Sequence, residues 1–200
     1  MSGRVLGITG AIGAGKSTVC QALRARGWSV LDVDDAASES LLDALPELAL
    51  EVPAVLSAGG LVDKGALFAA MMNDAAVRAR VEAILRPHVV SRINAWIQAL
   101  EGPGALEAAL LFESRLDELC EATLCVRCSR DERRRRVQAR QSTSSKHFDA
   151  MEAAQLPESE KARRAGAVMS TDGQLESMEI EIETALKQLG VLFTVGVIKQ

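Results

Sequence analysis

An α/β fold, with a parallel sheet flanked by helices and an inserted helical lobe, is predicted by three features of the sequence. Short apolar runs, typical of strands buried on both faces, alternate with segments of helical periodicity. A glycine-rich loop separates the first apolar run from the first helical segment. Residues 35–100 are rich in alanine and leucine and show helical spacing with no convincing strand. Together these features favour a parallel sheet interrupted by one block of helices.

The first elements follow one another as strand, loop, helix and strand. Residues 4–9 (RVLGIT) predict the first strand, and the apolar residues after the loop recur at helical spacing. Residues 29–34 (SVLDVD) predict the second strand. Asp32 and Asp34 would then face the same way, because side chains alternate along a strand.

The central block predicts several short helices, with breaks at Pro46, Pro53, residues 58–60 and Pro87. Beyond it, strand-like and helix-like segments alternate again. The segments that predict strands are 105–112 (ALEAALLF), 122–128 (ATLCVRC) and 165–171 (AGAVMST), and those that predict helices are 129–140 and 174–190.

Composition and charge narrow the classes of function. Apolar residues at 48% and charged residues at 25% are ordinary for a folded domain, so we expect no extensive disorder. The net charge of −4 argues against broad nucleic-acid binding. The four arginines Arg133–Arg136 would point in different directions on a helix, so at most two can face one phosphate site.

No apolar run approaches the roughly 18 residues of a membrane span, and no leader peptide precedes the first strand, so we expect a cytoplasmic protein without a membrane partner.

The four cysteines predict no metal cluster. Cys120, Cys125 and Cys128 have the spacing C-x4-C-x2-C, but the fourth cysteine that an iron–sulfur cluster needs does not follow them. Cys125 and Cys128 belong to a strand-like apolar run. We therefore expect reduced, mostly buried thiols.

The loop after the first strand fits the pattern G-x-x-x-x-G-K-[ST], from Gly10 through Gly15, Lys16 and Ser17. Glycines allow backbone N–H groups to surround phosphate oxygens, and the following helix offers its positive N-terminal end. Lys16 can reach the β- and γ-phosphates, and the Ser17 hydroxyl can ligate Mg²⁺. Since strands flank the motif as required, the loop predicts a nucleoside triphosphate site.

The loop alone does not define what happens to the γ-phosphate. GTPases carry a guanine-reading [NT]-K-x-D segment, which this sequence lacks. An ATPase motor would need an acidic residue after an apolar strand to orient water, and Glu113 is the best candidate for that role. A small-molecule kinase would use a carboxylate at the carboxyl end of a strand, where Asp32 and Asp34 are placed. The alternative is that Asp34 or Asp35 only caps the next helix.

Six motifs in consistent order make the chain similar to the dephospho-coenzyme A (dephospho-CoA) kinase family. They are TGAIGAGKST, DVDDAASESLL, DKGALFAAMMND, VEAILRP, ALLFES and EAAQLPESEKARRAG. The loop is shared by many kinases, whereas the ordered set is much more specific and spans nearly the whole chain.

The resemblance implies ATP-dependent phosphorylation of the ribose 3′-hydroxyl of dephospho-CoA, with Mg²⁺. It implies that Asp34 accepts the proton of that hydroxyl, that Lys16 holds phosphates and that Arg140 approaches the transferred group from a lid. The nucleotide-binding residues would be Gly13, Ala14, Gly15, Lys16, Ser17, Thr18 and Arg136, with Ser17 also ligating the metal.

The resemblance also implies one P-loop kinase domain, residues 1–200. Its core would comprise 1–33, 104–136 and 166–200, its acceptor-binding insertion 34–103 and its lid 137–165. The oligomeric state stays open. The sequence departs from the family pattern at five positions, which leaves acceptor affinity and nucleotide preference open: Ser38, Arg86, Ala109, Gly166 and Thr171.

Two other functions stay open at this stage. One is a P-loop kinase for another small hydroxyl acceptor, such as a sugar acid or a shikimate-like ring. The other is a nucleotide-binding regulator that has the fold without transferase activity.

Overall fold

Two compact units make up the chain in the computed structural model, which describes residues 5–52, 63–141, 145–173 and 175–190. The first unit is formed by Met1–Leu31 together with Leu100–Gln200, and the second by Asp32–Ala99. The predicted division into a core, an acceptor-binding insertion and a lid stays a prediction.

The first unit contains a five-stranded sheet with the order β2-β3-β1-β4-β5. Its strands are β1 (Val5–Thr9), β2 (Ser29–Asp32), β3 (Gly104–Glu107), β4 (Ala122–Arg127) and β5 (Ala167–Ser170). β1 pairs in parallel with both β3 and β4, and β4 pairs in parallel with β5. The predicted parallel α/β sheet is therefore confirmed.

The helices lie between strands or after the last one, singly or in groups, and those over 145–153 and 158–164 were not predicted from the sequence. In chain order they are α1 (Lys16–Ala25), α2 (Val33–Asp43), α3 (Leu45–Glu51), α4 (Lys64–Asn73), α5 (Ala75–Gln98), α6 (Arg130–Gln141), α7 (Ser145–Ala153), α8 (Glu158–Arg164) and α9 (Leu175–Gln188). Among the helices that the structure describes, none is both long enough and apolar enough to cross a membrane.

The core of the first unit lies on both faces of the sheet. All five residues of β1 are buried, as expected for a central parallel strand covered by helices on both sides. α1 packs Val19, Cys20 and Leu23 into the same cluster. Each fully buried aliphatic side chain of this kind contributes about 1.5–3 kcal/mol, so this packing holds α1 against β1.

The second unit is helical, and one of its predicted breaks is wrong. α5 continues through Pro87 and buries Val81, Val89 and Ile93 on either side of it. Proline removes one backbone hydrogen bond from a helix interior, and the packing on both sides maintains the helix. Pro53 and residues 58–60 lie outside the described residues.

The strands predicted over 29–34, 105–112, 122–128 and 165–171 are all shorter in the structure, and the first two end in ways that change the assignment of the residues that follow. β2 ends at Asp32, whose Oδ1 accepts a hydrogen bond of 2.8 Å from the Asp34 N–H and so caps α2. Asp34 thus lies in the first turn of a helix, and the prediction that it extends the strand is wrong. β3 ends at Glu107, and the apolar residues that follow form turns that bury Leu111 and Phe112. Those residues are apolar because they enter the core, not because they extend the strand.

The four cysteines are free thiols. Burial is the main cause that raises the pKa of Cys125 to about 11 and that of Cys120 to about 12. Within the part of the chain that the structure describes, no group of histidine, cysteine and acidic residues could hold a metal ion.

Candidate nucleotide site

The loop between β1 and α1 has a backbone that requires glycine at several positions, of which Gly13 and Gly15 lie nearest the start of the helix. Gly13 has φ of +77° and Gly15 has φ of +93°, in the left-handed region that other residues rarely adopt. A Cβ atom at Gly13 would lie 2.7 Å from the carbonyl oxygen of Arg133, and one at Gly15 would lie 3.3 Å from Arg136 Nη1. The backbone of Arg133 therefore leaves no room for a side chain at Gly13, and the φ angle at Gly15 would be strained for any other residue.

The amino end of α1 is built to face an anion. The helix begins at Lys16, and its N-cap residue, Gly15, has no side chain that could accept hydrogen bonds from the first amides. Lys16 Nζ donates to the Gly10 carbonyl at 3.1 Å, which holds the ammonium group over the loop. Ser17 and Thr18 lie half-buried in the first turn. Helix dipole, amides and lysine thus combine their positive charge at one place.

Arg136 lies on the other side of Gly15. Its Nη1 donates to Thr171 Oγ1 at 2.9 Å, and its Nη2 donates to the Thr171 carbonyl at 2.7 Å. The Thr171 hydroxyl in turn donates to the Ala14 carbonyl at 2.7 Å. Arg136 is thereby fixed against both the phosphate loop and the turn after β5.

A cavity of about 390 Å³ opens beside this arginine. It is lined by residues of the loop, α1, α6 and the turn after β5, among them Gly15, Thr18, Arg136 and Thr171. Hydrogen bonds from Arg135 and Arg136 lower the pKa of Glu132, at the same wall, to about 2. The cavity adjoins the loop, as a nucleoside attached to loop-bound phosphates would require.

The four consecutive arginines of α6 do point in different directions. Arg134 pairs with Asp149 at 3.0 Å, and Arg135 pairs with Glu132 at 2.7 Å. Arg133 is buried, and its Nη1 donates to the Ile12 carbonyl at 3.3 Å. The two inward arginines, Arg133 and Arg136, are therefore both tied to the phosphate loop.

Arg133 is a residue whose role the sequence did not reveal. Its Nε donates to the Cys128 carbonyl at 3.1 Å, and its Nη2 donates to Glu152 at 2.7 Å. Its guanidinium also lies 5.8 Å from the centre of the buried Phe148 ring. The signal that could have found it is Val137, the apolar residue four positions after Arg133, because residues at this spacing share one face of a helix and Val137 is buried.

Glu113, the candidate for positioning water in an ATPase, has a structural role instead. Its Oε1 accepts a hydrogen bond of 2.8 Å from the Leu156 N–H and lies 2.8 Å from Lys161 Nζ. Lys161 is completely buried and also donates to the Ala109 carbonyl. The ion pair attaches α8, and the Leu156 hydrogen bond attaches the turn before α8, to the chain that follows β3.

The two other predicted catalytic residues lie on helices. Asp34 belongs to the second unit, in the first turn of α2. Arg140 belongs to α6, in the first unit. The catalytic roles predicted for these two residues stay predictions, whereas Gly13, Ala14, Gly15, Lys16, Ser17, Thr18 and Arg136 all lie at the loop or against it.

The parallel sheet, the loop after its central strand and the cationic groups around that loop define a P-loop nucleotide-binding protein. The family model described as dephospho-CoA kinase matches residues 4–177. A dephospho-CoA kinase from Deinococcus radiodurans is 38% identical over 194 residues, covering 94% of this chain and 93% of that protein. The chain belongs to the dephospho-CoA kinase family, as the sequence motifs predict.

Solved structures share the fold of this chain. A crystal structure of a Thermus thermophilus protein matches with a TM-score of 0.86 and 36% identity, covering 97% of this chain and all of that chain (100%). A shikimate kinase from Bacteroides thetaiotaomicron matches with a TM-score of 0.54 and 17% identity, covering 94% and 98% of the two chains. The second likeness shows the fold alone, and it agrees with the predicted parallel α/β sheet flanked by helices.

Proposed function

We propose that this chain transfers the γ-phosphoryl group of ATP to the 3′-hydroxyl of the ribose in dephospho-CoA, giving coenzyme A and ADP. The observation that carries the proposal is membership of the dephospho-CoA kinase family over nearly the whole chain, together with a complete and well-supported phosphate loop. The reaction would take place in the cytoplasm, where ATP is supplied.

The phosphate loop supplies the binding of the triphosphate. Backbone amides of residues 13–18 and the N-terminus of α1 would contact phosphate oxygens, and the Lys16 ammonium would neutralise charge on the β- and γ-phosphates. Arg136, fixed beside Gly15, would contact the nucleotide in the adjoining cavity. Positioning and charge neutralisation are what phosphoryl transfer chiefly requires of a protein.

The residues present fit a magnesium ion. Ser17 offers a hydroxyl oxygen in the first turn of α1, and Mg²⁺ prefers oxygen ligands shared between a protein and substrate phosphates. When bound, the metal ion would neutralise charge on the phosphate oxygens. The role of Ser17 as its ligand is part of the proposal.

Asp34 and Arg140 carry the proposed chemistry of the transfer. The Asp34 carboxylate would accept the proton of the 3′-hydroxyl as that oxygen bonds to the γ-phosphorus. The bond from the γ-phosphorus to the bridging oxygen breaks, and ADP leaves with that electron pair. Arg140 would stabilise the negative charge on the transferred group.

An acceptor panel tests this proposal against its rivals. Purified protein with ATP and Mg²⁺ is offered dephospho-CoA, shikimate and gluconate in parallel, and ADP release is measured. We expect rapid turnover of dephospho-CoA alone. Turnover of another acceptor would favour the other-kinase alternative, and tight ATP binding with no product at any Mg²⁺ concentration would favour a regulator.

The same panel addresses the departures from the family pattern. Ser38 and Arg86 lie in the second unit, the predicted acceptor-binding insertion. We expect them to affect the KM for dephospho-CoA more than the affinity for ATP. We propose no nucleic-acid partner, because the net charge is −4.

A further inference from the structure

We propose that Gln155 is a positioning residue that holds the phosphate loop in its binding conformation through the backbone N–H of Ile12. This N–H donates to Gln155 Oε1 at 3.1 Å, across 143 positions of sequence. Gln155 follows α7 and lies half-buried in the first unit. The inference rests on the proposed function only in that the loop binds nucleotide phosphates.

The Ile12 residue is held by hydrogen bonds on both of its backbone groups. Its N–H donates to Gln155, and its carbonyl accepts from Arg133 Nη1 at 3.3 Å. A loop with several glycines has much conformational entropy to lose when it binds a ligand. Fixing Ile12 from outside removes part of that cost before the nucleotide arrives, which is how preorganisation increases affinity.

Gln155 is itself held firmly enough to act in this way. On its amino side, Glu152 accepts a hydrogen bond of 2.7 Å from Arg133 Nη2. On its carboxyl side, the Leu156 N–H donates to Glu113 at 2.8 Å, and Glu113 pairs with the buried Lys161. The segment from residue 152 to residue 161 therefore fixes both partners of Ile12, Gln155 directly and Arg133 through Glu152.

The amide group also explains why a neutral residue suits this position. A carboxylate would accept the Ile12 hydrogen bond equally well, but it would place a negative charge beside a loop that binds phosphates. Like charges at close range repel, more strongly where the site is partly shielded from water. The substitution Gln155→Glu therefore separates hydrogen bonding from charge, because it keeps an oxygen that accepts from the Ile12 N–H and adds a negative charge beside the loop.

The test combines amide exchange with nucleotide binding. Hydrogen exchange of the Ile12 amide is measured by NMR on nucleotide-free protein, and ADP affinity is measured by calorimetry. In Gln155→Ala we expect faster exchange at Ile12 and an ADP Kd raised roughly 3- to 10-fold, the effect of one lost hydrogen bond. In Gln155→Glu we expect slow exchange at Ile12 with a raised Kd. Arg163→Ala, on the exposed face of α8, is the matched control and should change neither.

The outcomes decide the proposal independently of the kinase reaction. Unchanged Ile12 exchange and unchanged ADP affinity in Gln155→Ala would overturn it. Should Gln155→Ala fail to fold, fast Ile12 exchange in a folded Gln155→Glu protein would overturn it equally. If the wild-type protein fails to phosphorylate dephospho-CoA while Gln155→Ala shows the expected changes, the proposed acceptor is wrong and the positioning role stands.

Discussion

Replacing Lys161 by methionine should destabilise the protein strongly. Lys161 is completely buried, and its ammonium group lies 2.8 Å from Glu113 Oε1. Methionine preserves most of the volume of the aliphatic stem, so the change removes the charge and its hydrogen bonds without opening a large cavity. The carboxylate of Glu113 then remains without its cation, and its Oε2 is buried with no hydrogen-bond partner among the described residues.

The size of the effect follows from that geometry. Removing one partner of a buried ion pair costs about 3–5 kcal/mol of the free energy of unfolding, because the other charge is left buried and uncompensated. For a chain of 200 residues, each kcal/mol lowers the melting temperature by about 2–4 °C, so we expect a decrease of roughly 6–20 °C. Changing Glu113 to glutamine as well removes the uncompensated charge and keeps an acceptor for Leu156.

Urea denaturation of the two single variants and the double variant measures this coupling directly. We expect Lys161→Met with Glu113→Gln to be more stable than Lys161→Met alone by at least 1 kcal/mol, an order-of-magnitude figure for relieving a buried charge. Arg163→Ala, on the exposed side of the same helix, is the control and should leave the midpoint unchanged. A Lys161→Met protein as stable as wild type, or a double variant less stable than that single one, would refute the reasoning.

Three further predictions concern catalysis and pH. Asp34→Asn should lower kcat by roughly 10²–10⁴-fold with ATP affinity retained, since general-base catalysis contributes that much; near-normal kcat would contradict the role of a base. Arg140→Ala should lower kcat more than it weakens ATP binding, and a purely weaker ATP affinity would argue against its action on the transferred group. The hydrogen bond from the Ser129 N–H is the main cause that lowers the pKa of Asp172 from 3.8 to about 2. The ionised Asp172 carboxylate should contribute to the free energy of unfolding above about pH 4, and this contribution should be lost as the pH falls towards 2. Acid titration of Asp172→Asn should therefore show a smaller loss of stability than wild type over that range.

Much of the first unit could be predicted from the sequence because its signals are local. A buried parallel strand is an apolar run, and the phosphate loop needs glycines at fixed offsets, so β1, the loop and α1 are visible in residues 4–26. The strand ending at Asp32 and the helix beginning at Val33 were harder to separate. A short polar side chain that caps a helix looks the same in sequence as one at the end of a strand.

The parts that were missed depend on contacts between distant residues. The course of α5 through Pro87 depends on packing that local propensity does not include. Glu113 and Lys161 are 48 positions apart in the numbering of the sequence, and Ile12 and Gln155 are separated by 143. The motif EAAQLPESEKARRAG contains both Gln155 and Lys161, but the sequence does not indicate that their partners are Ile12 and Glu113.

The mass of the product formed from ATP, Mg²⁺ and dephospho-CoA tests the central claim most directly. The account predicts that dephospho-CoA gains one phosphoryl group and that ³¹P NMR places it on the ribose 3′-oxygen. An unchanged dephospho-CoA mass, with protein that still binds ATP, would contradict it.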